Sequence, residues 1–141
     1  MQFVYNDGGR AEAGYKGKTG DCVCRAISIA LKLPYQQVYN ELKSFISSHR
    51  NCKSKKKSNV RTGITQKFCK KYLESKGWRW VPCMKIGTGC KVHLREEELP
   101  KGRLIVSASR HLTAIIDGVI HDTYDCSRDG SRCVYGYFTN V

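Results

Sequence analysis

The order of patterns along this chain predicts an α+β fold, with N-terminal helices packed on a C-terminal antiparallel sheet. Apolar residues recur at helical spacing in three segments before residue 77, and β-rich runs dominate after residue 103. Between two of those runs stands Asp117-Gly118, the strongest short hairpin signal a sequence offers. Helices first and strands afterwards is the α+β order. The 141 residues are 40% hydrophobic and 26% charged, with 13 Gly and only 3 Pro, the balance of one domain spanning 1–141. A chain of this size buries roughly two-thirds of its unfolded surface, so it needs neither metal nor disulfide merely to fold.

The elements follow in order. Residues 1–20 are Gly-rich and read as an irregular lead-in with a short strand at Gln2–Tyr5. Asp21 stands as an N-cap before Cys22, and Val23, Ala26, Ile27, Ala30 and Leu31 then trace one helical face. Ile29 is apolar too, so this helix is expected to be buried on most sides, ending at Leu33-Pro34. A second helix is predicted over about Tyr35–His49, with Val38, Leu42, Phe45 and Ile46 as its stripe. A third fits Ile64–Lys76, with Phe68, Cys69 and Tyr72 inward and Gly77 as its stop. Trp78–Val81 alternates like a strand, Met84–Lys91 reads as a loop, and Glu96–Glu98 flank a turn. The β-rich runs start at Leu104, Leu112, Val119 and Val134.

No apolar run approaches the roughly 20 residues a membrane span needs, so no membrane partner is expected. The opening MQFVYNDGGR has no apolar stretch behind a basic start and does not read as a secretory signal. That points to a cytoplasmic protein whose eight cysteines stay reduced. Their spacings, six intervening residues in Cys83–Cys90 and Cys126–Cys133 and one in Cys22–Cys24, lack the two close pairs of a zinc module. No metal and no cofactor are expected, and most of the thiols read as small buried hydrophobes.

One cysteine stands out by position. A helix N-terminus stabilises a thiolate through its unpaired amides and dipole, and Cys22 sits in the first turn after Asp21. Its own amide is placed to face a developing oxyanion. Cys24 is about 200° further around the helix, so both thiols cannot point the same way. A thiol that only packs would suit either position equally.

The hairpin supplies the rest. With Asp117-Gly118 as a two-residue turn, paired residues sum to 235, so Thr113 faces Asp122 and His111 faces Tyr124. Alternation then puts His111, Thr113, Ile115, Ile120, Asp122 and Tyr124 on one face. Asp122 becomes a diagonal neighbour of His111, about 7–8 Å between Cα atoms and within side-chain reach. A carboxylate beside an imidazole fixes its tautomer and stabilises the imidazolium. A slip of one residue in the turn would move Asp122 to the wrong face. His121 falls on the opposite face as a core or surface histidine, and His49 and His93 lie in polar stretches. Asp117 needs no role beyond its turn.

Asp21-Cys22 opening a buried helix, His111 starting a strand and Asp122 on the next strand resemble the papain-like cysteine peptidase superfamily. The bacteriocin-processing peptidases are the nearest flavour, and small uncharacterised papain-like proteins of bacteriophage and bacterial genomes are similar too. The resemblance covers about residues 15–40 and 103–138. It implies a papain-like arrangement and a cysteine-dependent hydrolase, a peptidase or amidase, acting on a peptide or protein substrate in a bacterial cytoplasm. Cys22 would be the nucleophile, His111 the general base and then acid, and Asp122 the orienting group. Those peptidases usually carry a Gln six residues before the cysteine as an oxyanion donor. That position is Lys16 here, and Asn6, Lys16 and Thr19 are the candidates to replace it.

The charge belongs to one segment. Residues 50–76, set between the helical and sheet parts, hold ten Lys/Arg against Glu74 alone, a net +9 of the formal total of +13. Lys53, Lys55, Lys56, Lys57 and Arg61 form a solvated basic stretch with no interleaved aromatic for base stacking. The rival functional reading is a non-enzymatic adaptor whose residues 50–61 contact an acidic protein or nucleic acid, the latter with strong salt dependence. Trp78 and Trp80 read as core anchors rather than stacking platforms.

Overall fold

The sheet order β1-β5-β4-β3-β6-β2 brings together strands from both ends of the chain. The computed structural model describes residues 1–15, 21–48, 66–84, 87 and 89–140. Among these, β1 (Gln2–Tyr5) precedes α1 (Cys22–Leu31), α2 (Tyr35–Ser48) and α3 (Gln66–Ser75). β2 (Arg79–Pro82), a 3-10 turn (Glu96–Glu98), β3 (Arg103–Ala108), β4 (His111–Ile116), β5 (Val119–Asp122) and β6 (Gly136–Thr139) follow. The fold is α+β, with three helices and a six-stranded sheet among the described residues.

The predicted all-antiparallel C-terminal sheet needs correcting. The sheet is mixed, because β1 pairs parallel to β5, Gln2 opposite Val119 and Tyr5 opposite Asp122. It is also not wholly C-terminal, because β2 joins it beside β6, antiparallel, with Trp80 opposite Phe138.

The hairpin forms in the predicted register, with Ile116 opposite Val119, Ile115 opposite Ile120 and Ala114 opposite His121. Asp117 and Gly118 have φ of 47° and 80°, the two positive values a type I′ turn requires. The Asp117 carboxylate accepts the Gly102 N–H at 2.9 Å, so its role is local to the turn.

Strand alternation divides the core in two. Ile105, Leu112, Ala114 and Phe138 face α1, α2 and α3 and pack with Ile27, Val38, Leu42, Cys69, Tyr72 and Leu73. Leu104, Val106, Ile115 and Ile120 face the other way, against Leu94, Leu99, Cys126 and Val134. Each fully buried aliphatic side chain among them contributes about 1.5–3 kcal/mol of transfer free energy. α1 is sheathed as expected, buried at every position from Val23 to Ala30 except Arg25. It stops at Lys32, which is left-handed (φ 55°) and donates its N–H to the Ser28 carbonyl. In α3 the inward set is Cys69, Tyr72 and Leu73, with Phe68 half-buried, one step round from the expected face.

The cysteines are not uniformly free. Cys90 and Cys133 are joined in a disulfide with Cα atoms 5.8 Å apart, tying the strand-poor segment after β2 to the approach to β6. Five others are free among the described residues: Cys24, Cys69 and Cys126 buried, Cys22 and Cys83 half-buried. The reading of all thiols as reduced therefore fails for this pair. Spacing along the chain carries no information about which residues the isolated bridge between His93 and Cys133 brings together.

Candidate active site

Cys22, His111 and Asp122 converge where the N-terminus of α1 overhangs the start of β4. His111 Nε2 and Asp122 Oδ2 are 2.6 Å apart, and both side chains are almost fully enclosed. That leaves Nδ1 as the ring nitrogen not committed to the carboxylate. The Cys22 thiol lies near enough to the same imidazole for each to shift the other's titration, so the three side chains form one electrostatic group. Oδ1 of Asp122 accepts the Thr123 N–H at 2.7 Å, which fixes the carboxylate from its far side.

The electrostatics match that geometry. Burial pushes the Cys22 thiol up, but hydrogen bonding to His111, the imidazolium charge, the Leu112 N–H and Arg25 together leave it below its ordinary value. For His111, burial acts against the charged form, yet the hydrogen bonds to Asp122, Cys126 and Cys22 raise it to about 11. Asp122 is destabilised as a carboxylate by burial and held below the ordinary carboxylate range by His111. These shifts all act in the direction that favours a thiolate beside an imidazolium backed by a carboxylate. Cys24 is the contrast: burial and the Asp21 charge push its thiol up to about 12, with Sγ turned to the Tyr35 carbonyl at 3.9 Å. Its thiol is a packing group.

Asp21 occupies the cap position but does not cap: its side chain makes no hydrogen bond to the helix N–H groups. Instead the fully buried carboxylate gathers Tyr35 Oη–H at 2.6 Å, Arg10 Nε at 3.2 Å and the Arg25 guanidinium. The first helical N–H bond is from Arg25 to the Asp21 carbonyl, so the helix does not use the amides of residues 22–24. Those amides lie outside the intrahelical ladder at the positive end of the helix dipole. The lead-in is held close by Gly8, where an added Cβ would come within 3.1 Å of the Arg25 carbonyl at a φ of +70°. Tyr15 stacks on Tyr39 at 4.9 Å, anchoring the same segment to α2.

Two supporting groups escape a reading of sequence alone, and a third, Tyr124, is placed by the hairpin register. Arg25 reaches both Asp21 and, through Nη2, Asp122 Oδ1 at 3.8 Å. Its i+4 spacing from Asp21 was the available signal. Cys126, buried on the turn after β5, lies against the His–Asp pair. Tyr124, half-exposed, packs on the His111 ring at 5.2 Å, as its predicted pairing implies.

Asn6 donates its N–H to the Asp122 carbonyl at 2.8 Å, and its side-chain oxygen accepts the Gly8 N–H at 2.9 Å. That oxygen is committed to a turn. Lys16 and Thr19 lie outside the described residues, as do Lys53, Lys55, Lys56, Lys57, Arg61 and His49. His121 is on the helix-facing side opposite Ala114, with its pKa lowered by burial and by Arg103, and takes no part. His93 bonds Glu98 at 3.3 Å, well away from the site. No helix among the described residues is long and apolar enough to cross a membrane.

Comparison with protein-family models, with curated proteins and with solved structures finds no match to this chain. The functional reading therefore rests on the chemistry of the site.

Proposed function

We propose that this chain is a cysteine-dependent amide hydrolase of papain-like arrangement, acting on a peptide or protein through Cys22, His111 and Asp122. The carrying observation is the 2.6 Å contact between His111 Nε2 and Asp122 Oδ2, with the Cys22 thiol at a helix start close enough to the same imidazole to have its pKa lowered by it. A structural histidine needs one partner. This one is held by a carboxylate on one strand and meets a thiol whose helix N-terminus favours the thiolate.

The chemistry follows from those positions. The Cys22 thiolate attacks the substrate carbonyl carbon, and the oxyanion is received by the amides at the start of α1. Imidazolium His111 gives its proton to the departing amine, leaving a thioester on Cys22. Neutral His111 then takes a proton from water, which attacks the thioester and releases the acid and the Cys22 thiolate. Asp122 holds the ring tautomer and its charge throughout.

The test is acyl-enzyme trapping. A panel of blocked peptide thioesters and p-nitroanilides is offered to the protein, and intact mass is followed. The reading expects a Cys22-linked acyl adduct, lost in Cys22→Ala and accumulating slowly in His111→Ala. Turnover that survives Cys22→Ala would overturn it, and so would the absence of any adduct across the panel.

A further inference from the structure

The thiol of Cys126 is unused by that chemistry although it belongs to the same cluster. One donor atom each from His111, Asp122 and Cys126 lies within 4.8 Å of the others, and all three side chains are enclosed. Imidazole, carboxylate and thiolate are the ligand types of a zinc-class ion, and three protein ligands with an open fourth position is a recurrent arrangement for it.

The surroundings support the same three groups. Asp122 is braced by the Thr123 N–H at 2.7 Å and by Arg25 at 3.8 Å. The Cys126 carbonyl accepts from Arg132 Nη1 at 3.4 Å, and Arg132 Nη2 is anchored on the Ser109 carbonyl at 2.6 Å. Asp125 accepts both the Ser127 N–H at 3.0 Å and its hydroxyl at 2.7 Å, closing the turn on the other side of Cys126. Outer contacts of this kind orient ligands around a metal. The absence of paired cysteine motifs does not bear on such a set, which draws single residues from β4, β5 and the turn beyond.

We propose that His111, Asp122 and Cys126 bind a borderline-soft divalent cation of the zinc class, and that its binding switches off Cys22. The cation bonds to His111 Nε2, an Asp122 oxygen and Cys126 Sγ. The Nε2 proton and the Cys126 thiol proton leave to solvent, and nothing is oxidised or reduced. Nε2 and Oδ2 must open from 2.6 Å to about 3.3 Å, the spacing of two tetrahedral ligands with bonds of about 2.0–2.1 Å. His111 is then no longer an imidazolium and Asp122 no longer orients it, so the leaving group has no acid. Tyr124, itself exposed, packs on the same ring at 5.2 Å. The metal site stands independently; the switch rests on Cys22 being the nucleophile.

Cobalt(II) titration of the full-length reduced protein tests the site without any assay of hydrolysis. The expected spectrum is that of a tetrahedral centre with one thiolate, stronger at higher pH because two protons must leave. Zinc should displace it stoichiometrically. Cys22→Ala should keep the spectrum and Cys126→Ser should lose it, with affinity falling beyond the roughly 10–100-fold that loss of a supporting partner costs. A wild-type far-UV circular dichroism spectrum and a cooperative thermal transition in Cys126→Ser show that the variant is folded. No thiolate–cobalt band in the wild type, a band lost in Cys22→Ala, or one surviving Cys126→Ser would each overturn the site. A normal cobalt centre with zinc-insensitive acyl-enzyme formation would overturn the switch alone.

Discussion

Arg25 ties the helix that carries Cys22 to the strand that carries Asp122, and replacing it by Gln should alter reactivity before it alters the fold. Its guanidinium pairs with Asp21 and stands 3.8 Å from Asp122 Oδ1, with the side chain 12% exposed. At that distance the Coulomb attraction is about 4 kcal/mol for an effective dielectric near 20. Asp21 shares the same cation, so the part felt by the Cys22–His111–Asp122 group is smaller. Removing the charge should raise the thiolate-forming pKa of Cys22, because the Arg25 charge acts to lower it. Asp21 keeps Arg10 and Tyr35 as partners, so the helix start survives. The assay is the rate of iodoacetamide alkylation of Cys22 against pH in wild type, Arg25→Gln and Arg25→Lys. The acid limb should move up in Arg25→Gln and by less in Arg25→Lys, which keeps a charge but cannot span two carboxylates. A lower melting temperature with an unmoved limb would refute the electrostatic role and leave Arg25 a packing residue.

Other predictions follow from the titrations and the packing. Hydrolysis should rise with pH as Cys22 loses its proton, below its ordinary value of 9.0, and fall as His111 loses its own at about 11. In His111→Gln the alkaline limb should vanish from the pH–rate profile. The His111 contribution to stability is full below the ordinary 6.5 and lost as pH rises through about 11. The Asp122 contribution is present above 3.8 and lost as pH falls through its lowered folded value, so Asp122→Asn should flatten the acid side of a denaturation-versus-pH curve. Gly136→Ala would place a Cβ 2.4 Å from Trp80 Cζ2 and 2.8 Å from the Val81 carbonyl, which the β2–β6 pairing holds in place. The expected loss is about 1–3 kcal/mol, read as a melting temperature lower by several degrees; an unchanged melting temperature would show that the two strands can part freely.

The candidate site was legible where a local rule fixed a geometry. The two positive-φ residues of Asp117-Gly118 set the hairpin register, and that register alone put His111 and Asp122 on one face. The nucleophile followed from Asp21-Cys22 opening an apolar helix, although Asp21 is a buried ion-pair centre rather than a cap. Both roles call for the same residue at the same place. What stayed hidden depends on distant contacts. The parallel pairing of β1 is set by Asn6 bonding the Asp122 carbonyl across more than a hundred residues, and an exposed Gln-Phe-Val-Tyr strand carries no mark of its partner's direction. Cys126 sits beside His111 only because the turn after β5 folds back, and the Cys90–Cys133 link needs the segment after β2 to lie against the approach to β6.

The central claim is that His111 makes Cys22 a thiolate near neutral pH, and the alkylation rate of Cys22 by iodoacetamide at pH 7, in wild type against His111→Ala, tests it most directly. Peptide mapping reads each thiol separately, with buried Cys24 as the internal reference. The account predicts that Cys22 is the fastest of the free thiols and that His111→Ala slows it by about 10-fold or more, as loss of an imidazolium partner returns the thiol toward its ordinary pKa. A Cys22 that reacts no faster than Cys83, or one whose rate His111→Ala leaves unchanged, would contradict it.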